Sequence, residues 1–166
     1  MFDLIFIINM ETITVIVETL KGSNAKFNYD EQNKRFRLKK LLPAGMVFPF
    51  DFGFIPDTTG GDGDALDVLV IAEFSMFTGC AVDCRIIGCI TAEQKFQNKV
   101  YRNDRFLAVP EASKQFAAIK TLNDLPVNMI DEIESFFINY NTLENKIFKP
   151  LERLDAAQAL QLIKSK

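Results

Sequence analysis

The residues most able to do chemistry lie in the segment 60–70, where Asp62, Asp64 and Asp67 fall within six residues. No lysine or arginine lies among them, so their like charges repel unless a cation neutralises them. The neighbouring glycines let the backbone turn tightly enough to direct the carboxylates towards one point. Hard oxygen ligands favour Mg²⁺, Mn²⁺ or Ca²⁺ over zinc. The pattern therefore indicates a divalent metal site.

Two other interpretations of the acidic segment remain open. Aspartate and glycine are ordinary turn residues, and the segment could be a solvated turn. An EF-hand calcium loop would share Asp62 and Asp64, and it would end at Glu73. It fits poorly because Leu66 stands where a ligand belongs, and Asp67 stands where the sharp turn requires glycine.

The elements that must position these acids are short strands followed by helices. The apolar run 68–71 predicts a buried strand, which would give Asp67 a rigid base. Alternating patterns predict further strands over 12–19, 26–30, 35–38, 48–54, 81–90 and 106–109. Helical periodicity in the last third predicts helices over 111–118 and 126–141, and a final helix capped by Asp155. This order indicates an α+β class.

Composition excludes several functions. A net charge of −3 provides no basic footprint for nucleic acid or for an anionic membrane. The absence of histidine excludes Ser-His-Asp catalysis, Cys-His catalysis and His-ligated zinc. The three cysteines lack a C-x-x-C pair, so we expect buried reduced thiols and a cytoplasmic location.

The N-terminal stretch is apolar over residues 4–8, which is too short to span a bilayer. No basic residue precedes it, unlike in a signal peptide. We expect residues 1–10 to be either a loose N-terminal arm or the result of a translation start assigned too far upstream. A single domain is expected to follow them. A chain of 166 residues is long enough for that domain to bury a sizeable core.

The acidic segment, Asp-Gly-Asp-x-Leu-Asp-Val-Leu-Val, resembles the signature of the soluble family I inorganic pyrophosphatases. Other segments resemble the same family in the same chain order: 17–18, 21–26, 48–56, 108–110 and 136–144. The resemblance runs from about Thr12 to the C-terminus. It implies one domain over 1–166, with a small β-barrel of the oligonucleotide-binding (OB) type. Its strands would be mixed or antiparallel, and helices would flank it on the C-terminal side.

The resemblance also implies an activity, which is Mg²⁺-dependent hydrolysis of inorganic pyrophosphate to two phosphates, with Mn²⁺ as another suitable metal. The family's metal-site acids match Asp62, Asp67 and Glu18, and Asp64 matches the acid that takes a proton from the attacking water. The phosphate-contacting residues match Lys26, Lys40, Arg105 and Tyr140. Relatives in bacteria suggest a homo-oligomer, specifically a hexamer, with no nucleic-acid or membrane partner.

The chain departs from the family pattern at several of these positions. Lys40 replaces an arginine and Arg105 replaces a lysine, so both keep their charge. Other substitutions remove acids at Asn28, Gln94 and Asn103, hydroxyls at Phe48 and Phe52, and a cation at Asn141. Glu93 and Asp104 lie one position from the lost aspartates, but a one-residue shift in a strand turns a side chain to the other face. We therefore expect a depleted site with reduced activity.

Three rival functions remain open. A non-catalytic homologue would bind metal or a phosphorylated ligand without hydrolysing it. A hydrolase of larger phosphoanhydrides would agree with the loss of small-substrate contacts. A barrel-type nucleic-acid module is disfavoured by the net charge and by the acidic central segment.

Overall fold

The computed structural model describes residues 11–166, and the predicted N-terminal arm at residues 1–10 lies outside the described residues. The described part contains strands and two α-helices in a simple chain order. The elements are β1 Thr12–Thr19, β2 Ala25–Asp30, β3 Arg35–Leu41, β4 Asp51–Ile55, β5 Leu66–Val70, β6 Ala81–Phe96, β7 Lys99–Arg102, β8 Arg105–Pro110, α1 Met129–Thr142, β9 Lys146–Leu154 and α2 Ala156–Lys164.

Five strands close into a barrel in the order β1-β4-β5-β8-β6, because β6 pairs back onto β1. The β5–β8 pair is parallel and the other pairs are antiparallel. β6 continues beyond the barrel, where β7 and β9 pair with its far half. β2 and β3 form a separate two-stranded sheet. The predicted α+β class and OB-like barrel are confirmed.

β5 separates two hydrophobic cores, which fixes the direction of the acid at its start. Leu69 packs into a core that includes Phe137 of α1, whereas Val68 packs into a core that includes Ile163 of α2. Side chains alternate along a strand, so Asp67 shares the face of Leu69. The apolar run thus directs the Asp67 carboxylate to the α1 side of the sheet.

Most predicted strands are confirmed within a few residues, and the predicted helix over 111–118 is wrong. That segment consists of turns, because the Glu73 carboxylate accepts hydrogen bonds from the Ser113 hydroxyl at 2.7 Å and from the Lys114 N–H at 2.8 Å. Those donors are satisfied without a helix. The predicted cap of the final helix is confirmed, since Asp155 accepts a hydrogen bond from the Gln158 N–H at 2.8 Å.

Two strands were missed by the sequence analysis. β7 forms a hairpin with β6, which runs to Phe96 instead of ending at residue 90. β9 contains Pro150 and pairs with β6 as an edge strand, where proline is tolerated. Neither helix within residues 11–166 is both long and apolar enough to cross a membrane.

Candidate active site

Three of the four predicted acids line a cavity of about 560 Å³ beside the start of β5. Glu18 lines it from β1, Asp64 from the acidic loop and Asp67 from β5. A second cavity of about 70 Å³ is lined by three acids, Asp62, Asp67 and Asp104. Asp67 therefore lines both cavities, and Asp62 and Asp64 contribute to different ones.

The loop that carries Asp62 and Asp64 is held by its own hydrogen bonds. The Asp64 N–H donates to Asp62 Oδ1 at 3.1 Å, and the Gly60 N–H donates to the Asp64 carbonyl at 2.7 Å. Gly63 has a φ of 91°, a left-handed conformation that side chains rarely adopt. Glycine is thus required at position 63 for the turn, as the sequence indicated. Burial raises the pKa of Asp62 above its ordinary value.

Glu18 and Lys26 form a buried ion pair, with Lys26 Nζ 3.8 Å from Glu18 Oε2. The Tyr29 N–H donates to Glu18 Oε1 at 2.8 Å. Lys26 Nζ also lies 4.0 Å from the centroid of the Phe52 ring, a cation–π contact that needs no hydroxyl. Burial raises the pKa of Glu18 to about 7 and lowers the pKa of Lys26.

We expect the stability of the metal-free protein to fall as pH rises from 4.5 to about 7, the ordinary and folded pKa values of Glu18. Within this window the folded protein keeps a proton that the unfolded chain has lost, so the free energy of unfolding decreases by up to about 1.4 kcal/mol per pH unit. Glu18→Gln should flatten this decrease. Urea unfolding of both proteins with a chelator measures the two slopes, and equal slopes would contradict the assignment.

Arg105 lies beside Asp67 because the parallel register of β5 and β8 pairs these two residues. Its Nη1 is 2.6 Å from Asp67 Oδ2, and only 5% of the arginine side chain is exposed. The guanidinium packs on two aromatic rings, with Cζ 4.8 Å from the centroid of Phe137 and 5.3 Å from that of Phe148. The protein therefore fixes Arg105 with Asp67 as its counter-ion.

Two amides occupy the positions where the resemblance implies metal-binding aspartates. Asn103 Nδ2 donates to Gln94 Oε1 at 2.7 Å, and Gln94 Nε2 donates to the Tyr101 hydroxyl at 3.0 Å. Arg105 Nη1 in turn donates to Asn103 Oδ1. The amides therefore bond to each other and to Arg105, and they bring no negative charge to the site.

Glu93 and Asp104, the acids next to these two amides in the chain, do not take the places of the amides. β6 keeps a regular register through Glu93 and Gln94, so their side chains lie on opposite faces. Asp104 Oδ1 accepts hydrogen bonds from the Ala92 N–H at 2.9 Å and from Arg102 Nη2 at 3.0 Å. Asp104 is thus engaged in holding the β6–β7 hairpin.

Lys40 and Tyr140 form a second group of predicted substrate-binding residues. Lys40 Nζ lies 4.1 Å from the centroid of the Tyr140 ring and pairs with Glu144. Tyr140 contacts the Phe48 ring, with centroids 5.7 Å apart, and Phe48 lies 5.6 Å from Lys26 Nζ. Burial raises the pKa of Tyr140, which keeps its phenol neutral. The sequence analysis missed Glu144 as a partner of Lys40, and at a separation of 104 residues no local pattern signals such a pair.

Asn28 and Asn141, which replace a charged residue of the family pattern, lie in different surroundings. Asn28 lines the larger cavity, and its Oδ1 is buried with no hydrogen-bond partner among residues 11–166. Asn141 is buried, and its Nδ2 donates to the Phe137 carbonyl at 2.8 Å. Asn28 therefore belongs to the site, whereas Asn141 belongs to the core.

The acids of the larger cavity supply oxygen donors that suit a hydrated metal ion. Within residues 11–166 no three carboxylates converge closely enough to hold a metal by themselves. Glu18, Asp64 and Asp67 nevertheless present oxygen donors to one cavity. Mg²⁺ typically binds through one or two carboxylates and keeps several waters, so these residues fit a hydrated ion of that kind.

The same fold occurs in solved inorganic pyrophosphatases. The protein from Neisseria gonorrhoeae matches with a TM-score of 0.85 and 33% identity, over 94% of this chain and 89% of that chain. The protein from Thermus thermophilus matches with a TM-score of 0.86 and 28% identity, over 93% and 88% of the two chains. The barrel and its acidic edge thus define a pyrophosphatase fold.

Sequence comparison identifies the family. The family model described as inorganic pyrophosphatase matches residues 15–166. An inorganic pyrophosphatase of Nostoc sp. is 34% identical over 151 residues, which cover 91% of this chain and 87% of the relative. The chain belongs to the inorganic pyrophosphatase family, whose soluble family I members are metal-dependent, and the resemblance stated from its motifs is confirmed.

Proposed function

We propose that the protein hydrolyses inorganic pyrophosphate to two phosphates in a Mg²⁺-dependent reaction. The observation that carries this proposal is that Glu18, Asp64 and Asp67 line the same cavity of about 560 Å³, in a chain of this family. When bound, the metal would neutralise charge on the diphosphate and lower the pKa of a water molecule. Glu18 and Asp67 from this cavity would hold it together with Asp62, which lines the smaller cavity that Asp67 also lines. Mn²⁺ suits the same oxygen donors.

Asp64 is the proposed general base. Support for this role comes from its position, because it lines the cavity together with Glu18 and Asp67, two of the proposed metal ligands. A carboxylate in this position accepts the proton that the water loses as it attacks phosphorus.

The proposed substrate contacts are four groups that could hold phosphate oxygens: Lys26, Lys40, Arg105 and Tyr140. Lys26, Lys40 and Arg105 each pair with a carboxylate of the protein. Phosphate binding at these groups therefore competes with those carboxylates. Lys26 and Arg105 are buried, where charge-assisted hydrogen bonds to phosphate are strong because water screens them little.

A second candidate is a homologue that binds metal or a phosphorylated ligand without hydrolysing it. Gln94 and Asn103 favour it, because they form a neutral hydrogen-bonded pair where acids would strengthen metal binding. Asn28 also brings no charge to the larger cavity.

We further propose a cytoplasmic location and a homo-oligomer, a hexamer as in bacterial relatives. The location is supported by three free cysteines, of which Cys84 and Cys89 are buried. The net charge of −3 supports the absence of nucleic-acid and membrane partners. Size-exclusion chromatography with light scattering measures the oligomer.

The function is tested by measuring phosphate release from pyrophosphate with Mg²⁺, with Mn²⁺ and with a chelator, beside a panel of nucleoside triphosphates. Metal-dependent release from pyrophosphate above release from the nucleotides is expected. Release from nucleotides alone would indicate a larger phosphoanhydride as substrate. Metal binding without any release would indicate the non-catalytic homologue.

We expect Mg²⁺ and Mn²⁺ to raise the melting temperature, because a ligand that binds only the folded state stabilises it. The gain is about 2.7 kcal/mol when the metal concentration is 100 times its Kd. Asp62→Asn should reduce the gain by removing a charged ligand. NaCl at matched ionic strength controls for screening. A melting temperature that ignores both metals up to millimolar concentrations would remove the metal site.

A further inference from the structure

One of the two carboxylate oxygens of Asp67 forms an ion pair with a cationic side chain of the protein. Arg105 Nη1 lies 2.6 Å from Asp67 Oδ2, and the arginine side chain is 5% exposed. Water therefore screens this pair little, and its attraction is stronger than that of a surface pair. A metal ion that needed the same oxygen would have to displace a buried guanidinium.

The nitrogen that meets Asp67 is also held by the residues just before β8. Arg105 Nη1 donates to Asn103 Oδ1, to the Asn103 carbonyl at 3.2 Å and to the Asp104 carbonyl at 3.0 Å. Asn103 is held by Gln94 at 2.7 Å, and Gln94 is held by the Tyr101 hydroxyl at 3.0 Å. The two amides thus continue a chain of hydrogen bonds from Tyr101 to Arg105.

The charges around Arg105 favour its ion pair with Asp67. The two amides are neutral, so Asp67 is the carboxylate that pairs with the guanidinium. Arg102 is also close, but its partner is Asp104, at 3.0 Å, and its side chain is 47% exposed. The two arginines therefore carry the same charge within three residues of each other while neutralising different acids.

We propose that Arg105 is a built-in cation that replaces one divalent ion at Asp67 and is held there by the Tyr101–Gln94–Asn103 chain. Asp67 then offers only its other oxygen to metal, and the free protein binds fewer or weaker divalent ions than its acids alone would allow. This inference deepens the proposed function and rests on its metal site. It assigns the two amides a positioning role towards Arg105.

The test measures Mn²⁺ binding by calorimetry in the absence of pyrophosphate, at one pH and ionic strength. Arg105→Gln should raise Mn²⁺ affinity by about tenfold or add a bound ion. A close opposite charge lowers a carboxylate's affinity for a proton by about ten- to a thousandfold, and removing that charge should favour a metal cation in the same direction. Arg102→Gln is the matched control. It removes the same charge nearby, and it should change the affinity by less than about threefold because a partly exposed pair is weak.

A second pair of variants keeps Arg105 in case its replacement prevents folding, which circular dichroism and thermal melting would report. Asn103→Ala removes the anchor and should raise Mn²⁺ affinity by about threefold, the effect of losing one modest hydrogen bond. Asn98→Ala, in the exposed β6–β7 turn, is its control and should leave the affinity unchanged.

The outcomes separate this inference from the proposed function. Equal effects of Arg105→Gln and Arg102→Gln, or of Asn103→Ala and Asn98→Ala if Arg105→Gln does not fold, would overturn the inference while leaving a metal site in place. An absence of Mn²⁺ binding in the wild type and in all variants would overturn both. A selective gain in the Arg105 or Asn103 variant supports the built-in cation.

Discussion

Asp64→Asn should lower pyrophosphate turnover by about 10²–10⁴-fold, the usual contribution of a positioned general base. Asparagine has nearly the shape of aspartate but cannot accept the proton of the attacking water. The Asp64 side chain lines the larger cavity with Glu18 and Asp67, whereas its backbone supports the loop through the Asp62 carboxylate. The substitution changes the side chain and leaves that backbone hydrogen bond in place. Metal affinity should therefore be largely retained.

The measurement combines turnover at saturating Mg²⁺ with Mn²⁺ affinity measured by calorimetry. Asp57→Asn is a matched control, because Asp57 lines the same cavity and its left-handed φ of 59° is readily adopted by asparagine. It should change turnover little. Asp62→Asn should weaken metal affinity and regain part of its turnover as Mg²⁺ is raised. If Asp64→Asn loses metal as strongly as Asp62→Asn, Asp64 is a ligand and the base assignment is wrong.

The parts of the site that could be predicted from sequence are those set by local chemistry. The acidic loop and the strand after it are contiguous, so glycine spacing and an apolar run are enough to identify them. The Asp155 cap is likewise encoded within four residues and is confirmed. The roles of the individual acids remain predictions, since they depend on bound metal and substrate.

The parts that could not be predicted depend on residues far apart in the chain. Asp67 meets Arg105 only through the parallel register of β5 and β8, and Lys40 meets Glu144 across 104 residues. The wrong helix over 111–118 has the same cause, because Glu73 satisfies that segment's donors from outside it. Helical periodicity cannot report a hydrogen-bond partner 40 residues away.

The sequence also does not predict where a substituted side chain lies at a functional position. Alignment by motif places Gln94 and Asn103 at lost acids, but it does not show that the two amides bond to each other. It also groups Asn141 with the lost phosphate contacts, whereas the Asn141 amide bonds to the Phe137 carbonyl in the core. A residue type at an aligned position therefore does not determine where its side chain lies.

The wild type should hydrolyse pyrophosphate well below the rate of a relative with the full set of site residues, and rebuilding that set should raise its Mg²⁺-dependent turnover. A lost hydrogen bond to developing charge lowers the rate by about 10²–10³-fold. Groups that act as a unit are not additive, so the combined gain is expected to be at least about tenfold. Asn28→Glu, Gln94→Asp and Asn103→Asp restore negative charge for metal.

Phe52→Tyr is the fourth substitution of the combined variant and restores a hydroxyl next to Lys26, which lies 4.0 Å from the Phe52 ring. Asn141→Lys is left out because that position is 2% exposed and a lysine there would have to leave the core. Asn98→Asp, in the exposed β6–β7 turn, controls for added charge. Turnover, KM and Mn²⁺ affinity are measured for the wild type, the control and the combined variant, after melting curves show that each is folded.

The three outcomes of this comparison have different meanings. A gain of about tenfold or more with tighter metal binding identifies the wild type as an enzyme limited by missing metal charge. A wild type that already equals an intact relative would show that the site is not depleted. Asp104, which lines the smaller cavity with Asp62 and Asp67, would then be the candidate for the acid that compensates. Metal binding without turnover in either form would indicate a binding protein, in which a buried cation at Asp67 neutralises the site without completing it for hydrolysis.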